Sequence, residues 1–392
     1  MTEPASFFHA APAFRLHCGI NSLQQLGAEL DRAGCHRAVV FCGQTMSRSP
    51  ELKLVTDALG ARHAGTFAGV KAHSPLPDVL AGAEALRDMQ ADAVIAVGGG
   101  SAVVSARAST IALAEGGDIQ ALCTKFPPGR APVSPKLLKP KLPQFVVTTT
   151  PNTSYAKAGT AVLDPVAKRR LTLFDPKTRA GVVFFHPLLA LTAPTPMVLD
   201  ASLVSLACAI QGLESRTRDP LADAMLLHAL RLHAQHLPHL AADQDGETRQ
   251  QLMLAAFLAG LGTDYAPIGL GIALSHSMGA RYGAPNGMTV AALLPHTLRF
   301  NEPVTGERLG LIAAGLGADA GAIRCSAADA AITAIRELLK TLNSPQRLRD
   351  AGIAHEALQQ IAGDTLGEWF LHTNPRKVSD AGTLLAALEA AW

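Results

Sequence analysis

The run ADAVIAVGGGS at residues 91–101 does most to limit what this chain can become. Its apolar residues follow one another without polar alternation, as in a strand buried on both faces of a parallel sheet. Three glycines and a serine end it, so the backbone turns sharply before SAVVSARAS begins a helix. HRAVVFCG at 36–43 is a second apolar run ending in glycine. Between the two, PELKLVTDALGARH and SPLPDVLAGAEALRDMQ carry helical periodicity, the latter opening on Ser-Pro and a capping-type Asp78. Strands alternating with helices from about residue 14 to 183 predict a doubly wound, mostly parallel α/β sheet. After PLLALTAPTP (187–196) the texture turns helical: residues 201–214, 221–236, 249–262, 288–298 and 327–342 show apolar spacings of three and four. Two domains are expected, an α/β domain over 1–185 and an all-helical one over 186–392.

Composition narrows the function. Hydrophobic residues make up 48% and charged residues 17%, which suits a packed globule. A net charge of +2 with dispersed basic residues argues against nucleic acid as a partner. No apolar run approaches the roughly 18–20 residues that span a bilayer, so no membrane partner is expected. MTEPASFFHAAPAF lacks the basic and apolar blocks of a secretory signal. Cys18, Cys35, Cys42, Cys123, Cys208 and Cys325 show no paired metal spacing and read as reduced, mostly buried thiols, so a cytoplasmic protein is expected. The segment TKFPPGRAPVSPKLLKPKLPQ (124–144), with Lys125, Arg130, Lys136, Lys139 and Lys141, predicts a solvated surface loop in preference to an anion-binding flap.

Within GLGIALSHSMGARYGAPNGMTVAALLPHTLRFN (269–301), Gly271, His276, Gly279, Pro285, Gly287, Leu294, Pro295 and Asn301 fall in register with a known signature. The segment resembles that of the iron-containing (group III) alcohol dehydrogenases and their maleylacetate reductase relatives. The strand and GGGS turn, the stretch LDPVAKRRLTLFDPKTRAGVVFFHPLLALTAP, the helix DASLVSLACAIQGLES and the ending NPRKVSDAGTLLAAL extend the resemblance over most of the chain. It implies a Rossmann-like dinucleotide-binding domain and an all-helical domain in the dehydroquinate synthase-like fold. NADH or NADPH is the implied cofactor, a small molecule the substrate, and a homodimer or larger homo-oligomer the assembly.

Gly98, Gly99, Gly100 and Ser101 carry the cofactor expectation. A glycine-lined turn that opens a helix offers backbone N–H groups at the positive end of the helix dipole, with room for a pyrophosphate. Taken alone, the same residues describe an ordinary strand-to-helix turn. The family's Asp and Lys after this turn correspond to Val104 and Arg107. Its second cofactor segment corresponds to Thr148–Ala156, where Thr149, Thr150 and Thr153 remain as candidates to bond ribose or phosphate; Ala156 replaces an acid and Tyr155 is a bulky newcomer. Cys42–Arg48 presents no carboxylate against a 2′-phosphate, which leaves NADPH open beside NADH.

The resemblance implies a divalent ion held by Asp and His four residues apart on one helix and by two later histidines. Those positions are Val204, Cys208, Ile272 and Asn286, so no catalytic metal is expected. His276 survives at a position that lies near the nicotinamide in the family. It is the leading catalytic candidate, with Tyr155 and Cys208 beside it; Lys157, Arg281 and Asn286 are further candidates to line the cleft. His228, His233, His236 and His239 read as structural. Three functions follow: a metal-independent NAD(P)-dependent oxidoreductase reducing a small carbonyl, such as a keto acid; a non-redox lyase or hydrolase using Cys208, Tyr155 or His276; and a catalytically silent binding protein.

Overall fold

The computed structural model describes residues 6–127, 132–217, 219–318 and 326–392. Arg130 and Cys325 lie outside them. The described residues form eight strands: β1 Arg15–Cys18, β2 Ala38–Phe41, β3 His63–Phe67, β4 Ala93–Gly98, β5 Gln144–Thr148, β6 Gly159–Asp164, β7 Arg169–Phe174 and β8 Val182–Phe185. Six of them make one sheet in the order β1-β8-β5-β4-β2-β3, and every pairing in it is parallel. The alternation of strand and helix in the sequence therefore becomes the doubly wound sheet it predicts. Residues of β2, β4, β5 and β8 are buried throughout, which explains why their sequences are apolar without a period. β6 and β7 form a separate antiparallel hairpin whose alternating burial follows the strand period.

The helices linking these strands are α1 Leu26–Arg32, α2 Gln44–Ser47, α3 Leu52–Leu59, α4 Leu76–Asp88 and α5 Gly100–Glu115, with α6 Pro187–Leu191 following β8. One face of the sheet buries Val40, Ile95, Val97 and Val147 against Leu26, Leu30, Val55 and Leu59. Contacts group residues Pro12–Pro194 with Asp243–Met253 as one compact unit. The division falls after α6, and it returns to the α/β unit a segment that a cut near residue 185 assigns to the helical one. Arg249 from that returning segment donates to the carbonyl oxygens of Ala190 and Ala193, which helps to close the unit. The Pro- and Lys-rich loop is less solvated than its composition suggests. The Lys141 side chain is buried and pairs with Glu115 at 2.6 Å and Asp175 at 3.0 Å.

The second unit comprises residues 6–11, Thr195–Ala242 and Leu254–Trp392. Its helices are α7 Thr195–Glu214, α8 Pro220–His236, α9 Glu247–Gly262 (whose first turns through Met253 group with the α/β unit), α10 Leu270–Tyr282, α11 Asn286–Gly315, α12 Ala327–Thr341, α13 Leu358–Thr365 and α14 Ala381–Ala391. α7 is 20 residues long and apolar enough to cross a membrane, but most of it is buried as a core helix of this unit. α11 runs 30 residues and passes through Pro295 and Pro303, well beyond the 288–298 that periodicity suggests. Each proline removes one helical hydrogen bond. Burial of Thr297, Leu298, Thr305, Leu309 and Ile312 carries the helix past both. α10, α13 and α14 share an apolar core of Leu270, Leu274, Met278, Ile361, Leu384 and Leu388.

α7 and α11 meet without space for a side chain between them. A Cβ on Gly287 would collide with the carbonyl of Asp200. The Asp200 carboxylate accepts from Met288 N at 3.1 Å and caps the first turn of α11. Gly287→Ala is expected to destabilise the protein by about 1–3 kcal/mol through overpacking, read as a lowered midpoint in chemical denaturation. An unchanged midpoint would show that the two helices can separate at no cost.

Candidate functional site

In the α/β unit, Gly98 leaves β4 with φ +141°, a conformation open to glycine, and Gly99 caps α5. The loop after β5 closes over this turn. Thr149 N donates to Gly98 O at 3.0 Å, and a Cβ on Gly99 would reach Thr150 Oγ1 at 3.0 Å. Asn152 and Ser154 stand 3.6 Å from the place a Gly100 side chain would occupy. Asn152 shapes the loop locally: its Nδ2 donates to Thr150 O at 3.0 Å, and its Oδ1 accepts from Ser154 N at 3.1 Å. Gly98–Ser101, Thr149 and Thr150 are thus gathered around the amino end of a 16-residue helix; Thr153 stands further along the same loop, before the short turn Ser154–Ala156. Bare backbone and helix dipole together fit the pyrophosphate of a dinucleotide.

Two supports of this turn carried no sequence signal. Ser101 Oγ accepts from His73 N at 3.1 Å, and Ser74 Oγ donates to Ser101 O at 3.1 Å. His73 and Ser74 adopt left-handed φ of 62° and 51°, an unfavourable conformation for two consecutive side-chain-bearing residues. The third support is Arg107, which is wholly buried. Its guanidinium donates to Ser154 O at 2.8 Å, Gly159 O at 2.7 Å and Thr178 O at 3.2 Å. The charge retained at this position therefore fastens the threonine loop and the hairpin to the helix of the glycine turn.

Tyr155 takes a different place from the one expected. It is 1% exposed, and its hydroxyl donates to Met253 O at 2.7 Å, both within the α/β unit. Burial pushes the phenol well above its ordinary range. It is a core residue, and a phenol so held is unsuited to proton exchange with a substrate.

In the helical unit, α10 begins in a polar pocket. Gln211 Oε1 accepts from Gly269 N at 3.1 Å, and Asn374 Oδ1 accepts from Leu270 N at 3.0 Å. Asn301 and Asn374 exchange amide hydrogen bonds of 3.2 and 2.9 Å. Arg376 lies 4.3 Å from the centre of the Phe300 ring and donates to Phe300 O. The Asn-Pro-Arg triplet of the sequence is thus a lock on the start of α10 and the middle of α11. Glu214 is 1% exposed, and burial pushes its carboxyl up to about 8, opposed by the Asn301 side chain.

His276 lies on α10 with its side chain 20% exposed; Nδ1 is 3.6 Å from Glu368 Oε2, and the ring meets Phe370 edge-on. Cys208 is 4% exposed on α7. Arg281 is paired with Asp364 and does not stand as an isolated cation. Of the supposed ligand positions, Val204 and Ile272 offer only carbon. Asn286 turns its Oδ1 against Gly279 of α10, where it is buried without a hydrogen-bond partner among the described residues. No three His, Cys, Asp or Glu side chains stand close enough to hold an ion among the described residues. This donor set does not fit a divalent cation. His233 is structural: fully buried, hydrogen-bonded to Ser205 Oγ at 3.0 Å, and lowered by burial to about 3.

Residues 13–187 match the family described as iron-containing alcohol dehydrogenase, and residues 199–392 match the C-terminal part of the Fe-containing alcohol dehydrogenase family. The chain is similar to maleylacetate reductase 2 of Cupriavidus pinatubonensis, at 30% identity over 78% of this chain and 76% of that one. It is similar to the NAD-dependent methanol dehydrogenase of Bacillus methanolicus, at 26% identity over 91% and 93%. The fold matches that of a crystallised 1,3-propanediol oxidoreductase with a TM-score of 0.89, at 24% identity over 99% of this chain and 100% of that one.

Arg107→Leu strips one buried and two part-buried carbonyls of this donor, so a loss of roughly 3 kcal/mol or more is expected in denaturant titration; a loss below about 0.5 kcal/mol would show that the clamp is idle. Glu214 gives a pH signature. Its ordinary value is 4.5, so between about 4.5 and 8 the folded protein keeps a proton that the unfolded chain has lost. Stability attributable to this group therefore falls as pH rises through that window. Glu214→Gln should gain thermal stability on the parent steadily from pH 5 to 8; a constant difference would refute the assignment.

Proposed function

The chain belongs to the iron-containing alcohol dehydrogenase family, and on that footing we propose that it is an NAD(P)-dependent oxidoreductase that reduces a small carbonyl substrate without a metal. The observation that supports this reading is the pairing of an intact glycine turn with a ligand set that offers too few donors. Gly98–Ser101 and the α5 dipole would hold the pyrophosphate, and Thr150, Asn152 and Thr153 would limit how it can lie. A bound dihydronicotinamide would supply the hydride. His276 would then supply the proton: an imidazolium beside the carbonyl oxygen favours negative charge there and gives up its proton as the alcohol forms. The reverse reaction asks the neutral ring to accept that proton. A partly exposed histidine can recover its proton from solvent, as a buried one cannot.

A small and acidic substrate, such as a keto acid, agrees with the similarity to a maleylacetate reductase, and the absence of a carboxylate across Cys42–Arg48 leaves NADPH admissible. Cys18, Cys35, Cys42 and Cys123 are free thiols, in keeping with a reducing compartment. The full chain titrated with NADH and with NADPH after removal of bound metals should bind at least one, seen as enhanced nicotinamide fluorescence. Turnover of small keto acids should then survive chelation and fall on the order of a hundredfold in His276→Gln. Binding of neither dinucleotide would refute the reading and favour a non-redox use of Cys208 or His276. Activity restored only by an added divalent ion would refute metal independence alone.

A further inference from the structure

Glu368 has no place in the family signature, yet the structure aims it at the one histidine that survives from it. It stands in the turn after α13, with its N–H donating to Thr365 O at 3.0 Å and its carbonyl accepting from Leu371 N at 3.2 Å. That turn is tied to α10 beside His276. Thr365 Oγ1 donates to Ser277 Oγ at 2.9 Å, and Asp364 pairs with Arg281 a turn further along. Phe370 meets the ring edge-on with centroids 5.3 Å apart and an interplanar angle of 67°. Carboxylate and imidazole are 18% and 20% exposed, wet enough to exchange protons and sheltered enough for the charge to be felt. Nε2 has no hydrogen-bond partner among the described residues.

We propose that Glu368 is a positioning residue for His276, holding the ring with its proton on Nδ1 and leaving Nε2 as the working nitrogen. A neutral imidazole carries one proton on one of two nitrogens, and a carboxylate beside Nδ1 selects the tautomer that can donate to it. At 3.6 Å the two groups are within ion-pair distance but outside hydrogen-bond range, so the pairing requires an approach of roughly half an ångström. With a dihydronicotinamide bound to supply the hydride, the carbonyl oxygen would take the proton of the imidazolium from Nε2. The ring is left neutral with Nδ1 still protonated toward Glu368, and solvent returns the proton to Nε2. With the tautomer reversed, Nε2 holds the neutral ring's proton and cannot accept one from an alcohol. The assignment rests on the reading of His276 as the proton-handling residue, but the tautomer can be observed without turnover.

The test is imidazole nitrogen NMR on the full chain with 15N-labelled histidine, under conditions where the ring is neutral. His276 is identified by the resonances lost in His276→Gln. The parent should show His276 protonated at Nδ1. Glu368→Ala should move it toward the Nε2-protonated form, and Glu368→Asp should remain closer to the parent. In turnover, Glu368→Ala should lower kcat by roughly tenfold or more with cofactor affinity unchanged, as expected when the orienting carboxylate of a catalytic histidine is lost. Protonation at Nε2 in the parent, or nitrogen shifts indifferent to Glu368→Ala, would overturn the proposal. If the shifts respond as stated and no dihydronicotinamide is oxidised, the pairing stands and the oxidoreductase reading falls.

Discussion

A buried guanidinium is the constraint on which the α/β unit's functional end depends. Arg107 spends its donors on the carbonyls of Ser154, Gly159 and Thr178, three points on the chain that no regular pairing would bring to one helix. Burying a charge is costly unless its hydrogen bonds are made, so the arrangement is stable only when all the segments are home. The glycine turn at one end of α5 and the clamp two turns along it are therefore coupled. A cofactor loop built from short polar residues, with few apolar contacts of its own, acquires definition from a side chain that touches no ligand.

The helical unit solves the same problem with neutral groups. Gln211 and Asn374 accept from the amides that open α10, Asn301 holds Asn374 in place, and burial raises the Glu214 carboxyl to about 8. Where relatives would bring several charged or imidazole donors together, this chain places Val204, Ile272 and an inward-turned Asn286.

Much of the fold was legible in the sequence because apolar periodicity and glycine placement are local. The runs at 36–43 and 91–101 became β2 and β4, and the helical texture after residue 196 became the second unit. The extent of α11 was not legible, since prolines at 295 and 303 normally argue for a stop and only neighbouring helices override them. The site was less legible still. Tyr155 looked catalytic because its position is unusual, and it proved to be an interior side chain; burial is a property of the assembled unit and leaves no trace in spacing. Glu368 and His73 were invisible for the same reason, as each acts on a residue far away in sequence.

The pairing of β1 with β8 bears on the order in which the protein can be made. Arg15 is made well before its partner in the sheet, Val182. Asp243–Met253 completes the same unit only after α7 and α8 have been synthesised. The β1 edge of the sheet thus stays unpaired until β8 has been made, and contacts between such distant residues are slow to form. Nascent α7, apolar and long, emerges before the α/β unit can close. The interval between residue 195 and residue 253 is when this chain most needs shelter.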